Sequence, residues 1–329
     1  MPSLPKVYVI HENASWLPPL REAFQVLNTP YEEWLLDQET LDLSSAPPEG
    51  VFFSRMSASN YTRGHFHANQ STDIILRWLE AHGCRVINGS RVLPLEFSKA
   101  AQQILLDKAG FVTPKTVVAV GRDKILGAAQ SLGLEQFILK PNQGGKGLGV
   151  QLFSSLDELR AALESGGLPE TLDDVWLVQE KIETEDEHIT RAEFVGGKFL
   201  YAVNVYSGGS FELCPADACN VDFTDFCPAG RNETPEPVEQ GPRFEISGSP
   251  DLQLAEMLER FLTTNGIEVA GIEYIRRPDG IPVIYDINTN TNYNAGAEAD
   301  AGLDTGGMQK IAEFLTGELS NQENALEAA

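Results

Sequence analysis

Basic residues are scarce in this chain, and long apolar runs are missing from it. Its 329 residues include 24 Lys and Arg against 48 Asp and Glu, which gives a net charge of −24 at pH 7. Nucleic acids and anionic membrane surfaces attract basic proteins, so neither is an expected partner. No stretch of about 18 apolar residues occurs, and no membrane-spanning helix is therefore expected. The N-terminus has no basic region followed by a long apolar core, so no secretory signal is expected either.

Cysteine is also rare, with four residues in the whole chain. Cys214, Cys219 and Cys227 cluster, but their spacing is not the paired C-x-x-C pattern of a zinc site. Buried or pocket-lining thiols are therefore favoured over structural zinc. So few cysteines in a chain of this length fit a reducing compartment, and we expect a cytoplasmic protein.

The first part of the chain alternates short apolar strands with helical patterns, which is typical of an open parallel α/β sheet. The expected strands are 6–10, 32–36, 50–53 and 84–88, and the expected helices are 16–27 and 72–82, the second capped by Ser71. Polar residues 54–70 follow the third strand, at the end of the sheet where ligands bind. Arg55 and Arg63 in this loop are candidate contacts for a substrate carboxylate, although an ordinary surface loop has the same composition.

A glycine-rich loop, Pro141-Asn-Gln-Gly-Gly-Lys-Gly-Leu-Gly149, lies between two further predicted strands. Its four glycines allow backbone N–H groups to converge, as in loops that wrap phosphates. The pattern differs from the P-loop, which opens a helix and ends in Gly-Lys-Ser/Thr. Lys140 before the loop and Lys146 within it favour phosphate binding.

Residues 269–294 predict two strands joined by a tight turn at Arg277-Pro-Asp-Gly280. Because side chains alternate along a strand, Asp286 and Asn288 share a face, and pairing around the turn places Glu273 opposite Asp286. Two carboxylates and an amide oxygen converging on one point need a cation, and hard oxygen ligands suit Mg²⁺. The alternative is a hairpin with a solvated polar face, which the apolar neighbours Ile272, Ile284 and Ile287 argue against.

The remaining pattern predicts a helix at 97–109 and a hairpin within 190–205 that turns at Gly196-Gly197, with Arg191 at its start. A last helix is expected at 306–315, and residues 318–329 are expected to form a disordered or frayed tail.

These motifs, in this order, resemble the ATP-grasp superfamily, and within it the branch of ribosomal-protein S6 glutamate ligases and glutathione synthetases. The resemblance covers about residues 50–317. The matching stretches are FSK (97–99), ILKPNQGGKGLGV (138–150), VQEKI (178–182), ITRAEFVGGKFLYAV (189–203) and GIEYI…VIYDINTN (271–290). Residues 52–64 also look like that branch's substrate loop, with Arg55 at its arginine.

The resemblance implies an ATP-grasp fold, α/β in the first half and α+β in the second. The implied divisions are an N-terminal open parallel α/β domain (1–95), a central ATP-grasp subdomain with the glycine-rich loop (96–182), a C-terminal subdomain with the metal site (183–317) and the tail (318–329). ATP would be held between two sheets, with one or two Mg²⁺, or Mn²⁺, beside it.

It also implies a role for each matching residue. The implied ATP contacts are Lys99, Lys140, the loop residues Gln143, Gly144, Gly145 and Lys146, and the adenine-bordering residues Gln179, Glu180, Lys181 and Ile182. The implied metal ligands are Glu273, Asp286 and Asn288, and the implied catalytic residues are Arg191 and Lys146.

Some positions depart from that family. Asp286 stands where the family usually has glutamate, which shortens the ligand arm. Ile189 stands where the family often has an aspartate for the ribose, and Glu187 and His188 are the candidate substitutes. Residues 211–219 do not follow the pattern of the S6 ligases, so the substrate does not transfer. Asn290 and Tyr293 are candidate acceptor-site residues, with turn formation as an equal alternative for the asparagines.

The sequence therefore predicts an ATP- and Mg²⁺-dependent ligase that joins a carboxylate to an amine through an acyl phosphate. Its expected partners are an amino acid, a peptide or a small metabolite, and a homo-oligomer stays open. Two alternatives also stay open, an ATP-grasp kinase and a nucleotide-binding regulator without turnover.

Overall fold

The computed structural model describes residues 4–36, 40–145, 147–186, 188–206 and 243–327, with the backbone alone for residues 325–327. The described strands are β1 (Lys6–His11), β2 (Tyr31–Leu35), β3 (Gly50–Arg55), β4 (Arg85–Ile87), β5 (Thr116–Val120), β6 (Phe137–Pro141), β7 (Gln151–Phe153), β8 (Val175–Glu180), β9 (Ile189–Val195), β10 (Lys198–Tyr206), β11 (Arg243–Ile246), β12 (Val269–Arg276) and β13 (Pro282–Asn288). The described helices are α1 (Pro18–Leu27), α2 (Ala68–Ala81), α3 (Leu93–Phe97), α4 (Lys99–Lys108), α5 (Ile125–Leu132), α6 (Leu156–Ser165), α7 (Leu252–Asn265), α8 (Ala295–Asp300) and α9 (Gly307–Glu327). Lys146, Glu187, Cys214, Cys219 and Cys227 lie outside the described residues.

The N-terminal sheet has the strand order β2-β1-β3-β4, and all its pairs are parallel. This confirms the predicted open parallel sheet. Its central strands are buried on both faces, with Val7 and Val51 toward α1 and α9 and with Tyr8 and Phe52 toward α2. The predicted cap at Ser71 is wrong, because α2 begins at Ala68 and the Ser71 hydroxyl donates to the carbonyl of His67 at 3.0 Å.

The central sheet has the order β5-β8-β6-β7 and is antiparallel throughout. Phe137 and Trp176 lie in its core, which α5 and α6 cover. The glycine-rich residues connect β6 to β7, as predicted from the sequence.

The third sheet is antiparallel, with the order β11-β10-β9-β12-β13. Gly196 and Gly197 form the predicted turn between β9 and β10, with φ of 61° and 69° that favour glycine. One face packs against α7 through apolar side chains such as Phe194 and Ile272. The opposite face carries the charged residues of the candidate site.

Two helix predictions need correction. The helix expected at 97–109 is interrupted at Ser98, which has an extended backbone and accepts the N–H of Ala101 at 3.2 Å as the N-cap of α4. The prediction of a frayed tail from residue 318 is wrong, because α9 continues to Glu327. Leu319 is 3% exposed, so the helix continues because this part of it still packs against the core. None of the described helices combines the length and apolarity needed to cross a membrane.

Candidate active site

A row of charged side chains crosses one face of the third sheet. Asp286 on β13 lies opposite Glu273 on β12, and Glu273 lies opposite Arg191 on β9. The cross-strand pairing of Glu273 with Asp286 is therefore as the hairpin periodicity predicted. Asn288 shares the face and donates from Nδ2 to Glu273 Oε1 at 3.2 Å.

A β-bulge at Tyr285 completes this hairpin and was not predicted. Tyr274 pairs with Ile284, so Tyr285 is an extra residue between two regular pairs. The bulge brings the Tyr285 hydroxyl to Glu273 Oε2, to which it donates at 3.0 Å. Burial raises the pKa of Glu273, and the neighbouring charge of Asp286 raises it further. This carboxylate is thus held on both oxygens in a buried, charged setting.

Lys99 approaches the same carboxylates from the first turn of α4. Its ammonium group donates to Asp286 Oδ1 at 2.6 Å. Burial lowers the pKa of Lys99, but the charge and hydrogen bond of Asp286 outweigh it, so that the pKa lies above its ordinary value. Lys99 is therefore a buried cation beside the carboxylates.

The donor set fits a magnesium ion. Glu273 and Asp286 offer carboxylate oxygens, and Asn288 offers its amide oxygen, because its Nδ2 is used on Glu273. Mg²⁺ takes few protein ligands of this kind and completes its shell with phosphate and water. No group of three or more His, Cys, Asp or Glu suited to a metal occurs among the described residues, so this set depends on the asparagine.

A cavity of about 120 Å³ lies above this face. The predicted residues that line it are Lys99, Gly144, Gly145, Arg191, Glu273, Asp286, Asn288 and Asn290. The glycine-rich loop therefore faces the carboxylates across the cavity. Gln143 Nε2 donates to the carbonyl of Ala58 at 3.4 Å, which places the loop against the polar segment that follows β3.

Lys140 lies just before that loop, 5% exposed, with its Nζ 5.9 Å from the centre of the Tyr285 ring. Burial, together with the charge of Lys99, lowers its pKa to about 7. An anionic ligand would restore its charge, so Lys140 is suited to a phosphate contact.

The predicted adenine-bordering residues do not line this cavity. Gln179 Nε2 donates to Thr116 Oγ1 at 2.8 Å, and Glu180 accepts the backbone N–H of Lys115 at 3.0 Å. Lys181 pairs with Glu183 at 3.1 Å, and Ile182 follows β8 as a half-buried residue. They lie at the end of β8, the strand beside β6.

The four predicted substrate residues have different surroundings. Arg55 is buried and donates to Asn290 Oδ1 at 3.1 Å and to Asn292 Oδ1 at 2.6 Å. Arg63 binds the buried carboxylate of Glu12 through two nitrogens, at 3.0 and 2.5 Å. Tyr293 is 5% exposed and belongs to the hydrophobic core. Of the four, Asn290 lines the cavity.

Sequence reasoning missed two residues near this site, one that lines the cavity and one that joins the glycine-rich loop to α4. Glu96 lines it and accepts the N–H of Ala58 at 3.1 Å and the N–H of Thr289 at 2.8 Å. Burial raises the pKa of Glu96 to about 7. Asn142 Oδ1 accepts the N–H of Ala100 at 3.1 Å, joining the glycine-rich loop to α4. Neither residue has a local signal, since each acts through elements distant in sequence.

The chain was compared with known protein families, sequences and structures. No family model matches the chain. A probable alpha-L-glutamate ligase of Teredinibacter turnerae is 25% identical over 248 residues, which cover 73% of this chain and 70% of that protein. Among solved structures, the RimK domain ATP-grasp protein of Sphaerobacter thermophilus has a TM-score of 0.63 at 18% identity, covering 94% of this chain and 98% of that one.

The ATP-grasp ligase PsnB, in complex with a minimal precursor, Mg and ADP, has a TM-score of 0.64 at 14% identity, covering 97% of this chain and 99% of that one. The fold predicted from the sequence is therefore confirmed, and the chain has the ATP-grasp fold of these proteins.

Proposed function

We propose that this chain is an ATP- and Mg²⁺-dependent ligase that joins a carboxylate to an amine through an acyl phosphate. The observation that carries the proposal is the row Asp286–Glu273–Arg191, which Lys99 contacts and which faces the glycine-rich loop across one cavity. Carboxylates for a metal, cations for phosphate and a loop able to cover both are the parts that phosphoryl transfer needs.

The reaction has two steps. A carboxylate oxygen of the first substrate attacks the γ-phosphorus of ATP, the bond to the β,γ-bridging oxygen breaks, and ADP leaves. The amine then attacks the carbonyl carbon of the acyl phosphate. Phosphate leaves as the C–N bond forms, and the amine loses a proton. Phosphorylation is needed because oxide is a poor leaving group.

The residues of this chain supply charge and position. Glu273, Asp286 and Asn288 would hold Mg²⁺, which when bound neutralises charge on the phosphates. Lys99 and Lys140 would meet phosphate oxygens, and Gln143, Gly144, Gly145 and Lys146 would cover them. Arg191 would meet the transferred phosphate or the substrate carboxylate. Its Nε donates to Glu193 at 2.5 Å, and its Nη2 donates to the carbonyl of Asn292 at 2.9 Å. These two bonds fix the guanidinium at the cavity wall.

Gln179, Glu180, Lys181 and Ile182 remain proposed neighbours of the adenine, and Glu187 of the ribose. Arg55, Arg63, Asn290 and Tyr293 remain proposed determinants of the substrate site. Substrates of peptide or small-molecule size are proposed, in keeping with the precursor bound in the PsnB structure.

ADP release with Mg-ATP tests the proposal, measured across amino acids, dipeptides and dicarboxylates with mass spectrometry of the products. A new mass equal to donor plus acceptor minus water is the expected result. A stable phosphorylated product that no amine consumes would indicate a kinase. ATP binding without ADP release in any mixture would indicate a regulator.

Replacement of a proposed metal ligand gives the matched test. Asp286→Asn should abolish Mg²⁺-dependent ADP release, because an amide is a weaker metal ligand, while the melting temperature stays within a few degrees. Asp123→Asn is the control, since Asp123 is an exposed aspartate paired with Lys124. Normal turnover of Asp286→Asn would exclude the metal assignment.

A further inference from the structure

The face of the third sheet changes from charged to apolar along its width. Val205 on β10 lies opposite Ile189 of β9 on one side and opposite Phe244 of β11 on the other. Arg191 stands two residues beyond Ile189 and therefore shares this face. The row that starts with Asp286 and Glu273 thus passes through Arg191 to an apolar edge.

Trp16 brings a third apolar surface to the same cavity from the N-terminal domain. Trp16, Val205 and Phe244 all line it, as do the hydroxyl-bearing residues Ser57 and Ser59. The cavity therefore has charged side chains at the metal strands and, beyond Arg191, an apolar wall of Trp16, Val205 and Phe244 beside the polar residues Asn290, Thr291 and Asn292.

Arg63 contacts two of the residues that line the cavity, Trp16 and Ser59. Its guanidinium carbon lies 4.7 Å from the centre of the Trp16 ring, and its Nη1 donates to Ser59 Oγ at 3.2 Å. Its charge is compensated by Glu12, which is 1% exposed and also contacts His65 at 2.8 Å. Arg63 is thus a positioning residue for Trp16 and Ser59.

The positive charges at the cavity are paired with carboxylates. Among the described residues that line it, the basic ones are Lys99, which pairs with Asp286, and Arg191, which pairs with Glu193. One substrate carboxylate can bind to Arg191 and to the metal at the same time. A second carboxylate, on a side chain that reached the wall, would lose its hydration beside Trp16, Val205 and Phe244.

We propose that the carboxylate substrate is a monocarboxylate with an apolar side chain, such as leucine or a peptide ending in leucine. Its carboxylate lies at Arg191, and its side chain packs against Trp16, Val205 and Phe244. This inference rests on the proposed ligase activity and distinguishes the chain from a ligase that takes glutamate as its carboxylate donor.

Hydroxylamine is the acceptor of choice for the test, because it attacks any acyl phosphate and releases phosphate as the hydroxamate forms. The probes are L-leucine, L-glutamate, Gly-Leu and Gly-Glu, each with Mg-ATP. We expect kcat/KM for the leucine member of the preferred pair to exceed that for its glutamate partner by about 100-fold. Equal or better use of the glutamate probes would overturn the inference while leaving the ligase activity established.

Substitutions of the apolar residues that line the cavity give a second test. Trp16→Ala and Phe244→Ala should raise KM for the leucine probe about tenfold with little change in KM for ATP. Trp34→Phe is the control, because Trp34 packs against the core of the first sheet and not at this cavity. An unchanged KM for leucine in both cavity variants would overturn the inference.

Measuring the binding of the probes directly gives a third test that does not depend on turnover. Calorimetry of the complex with Mg and a non-hydrolysable ATP analogue should show tighter binding of the leucine probes than of the glutamate probes. Failure of the leucine probes to bind overturns the inference. Their binding without hydroxamate or ADP formation supports it and instead counts against the proposed ligase activity.

Discussion

At the scale of single residues, Lys140 is a lysine whose charge state depends on its surroundings. It is 5% exposed, and burial together with Lys99 lowers its pKa from 10.5 to about 7. Above that pKa the side chain is mostly neutral, and a bound phosphate would raise the pKa and favour the ammonium form. Nucleotide binding should therefore be linked to proton uptake.

We expect ATP binding to take up a proton near pH 8, and little or none at about pH 6, where Lys140 is already charged. Titration calorimetry in buffers of different ionisation enthalpy measures the uptake. The Lys140→Met variant should bind more weakly and show no such uptake. Uptake that is the same at both pH values, or that persists in Lys140→Met, would contradict the assignment.

Gly271 is a glycine required by close packing. A Cβ there would lie 2.9 Å from Glu193 Oε2 and 3.2 Å from Arg191 Cδ. Glu193 is fully buried and binds both Arg191 and Thr291 Oγ1, the latter at 2.9 Å. A methyl group at residue 271 would therefore displace Glu193 and, through it, Arg191.

Gly271→Ala should destabilise the protein by about 1–3 kcal/mol and reduce turnover strongly. Denaturant unfolding and ADP release measure the two effects. Gly127→Ala in α5 is the matched control, because a Cβ there meets no atom within 4 Å. That control should be neutral or stabilising by about 0.4–1 kcal/mol. Similar behaviour of the two variants would show that the close approach at Gly271 has no effect.

At the scale of elements, Asn142 joins the glycine-rich loop to the start of α4. Its Oδ1 accepts from Ser98 Oγ at 3.0 Å and from the N–H of Ala100 at 3.1 Å. Its Nδ2 donates to Asp173 at 2.8 Å. The same turn of α4 carries Lys99, so Asn142 sets the distance between the loop and the lysine.

Asn142→Ala should raise KM for ATP several-fold and lower stability by about 1–3 kcal/mol, because buried partners are left unpaired. Steady-state kinetics and thermal unfolding check this. Asn265→Ala is the control, since Asn265 makes a side-chain bond to the carbonyl of Phe261 at 2.8 Å away from the cavity. A normal KM for ATP in Asn142→Ala would show that this tie does not position the site.

At the scale of the whole molecule, α9 holds the first sheet against the third. Ile311, Leu315 and Leu319 share one core cluster with Val7 of the first sheet and Val203 of the third. Arg85 on β4 adds an ion pair to Glu318 at 2.6 Å. The last helix is therefore part of the architecture that keeps the walls of the cavity together.

Leu319→Ala should lower the free energy of unfolding by about 2–5 kcal/mol, since the side chain is 3% exposed. Leu252→Ala is the matched control, because Leu252 is 62% exposed, and it should change stability little. Chemical denaturation of both variants gives the comparison. An unchanged free energy of unfolding in Leu319→Ala would indicate that the end of α9 is frayed and does not pack against the core.

The sequence by itself determined what depends on neighbours along the chain. The pairing of Glu273 with Asp286 follows from a short turn and a period of two, and the glycine-rich loop between β6 and β7 follows from its composition. The order of motifs then pointed to the ATP-grasp fold. The domain boundaries at residues 95 and 182 and the nucleotide roles of Glu180 and Lys181 stay predictions.

Tertiary structure alone decided what depends on docking between distant segments. Glu96 binds Ala58 and Thr289, which lie far from it on either side in the sequence, and Arg63 is neutralised by Glu12. The core that extends α9 beyond residue 318 likewise needs the first sheet. Such contacts leave no local periodicity, because their free energy comes from burial and pairing that exist only once the sheets pack together.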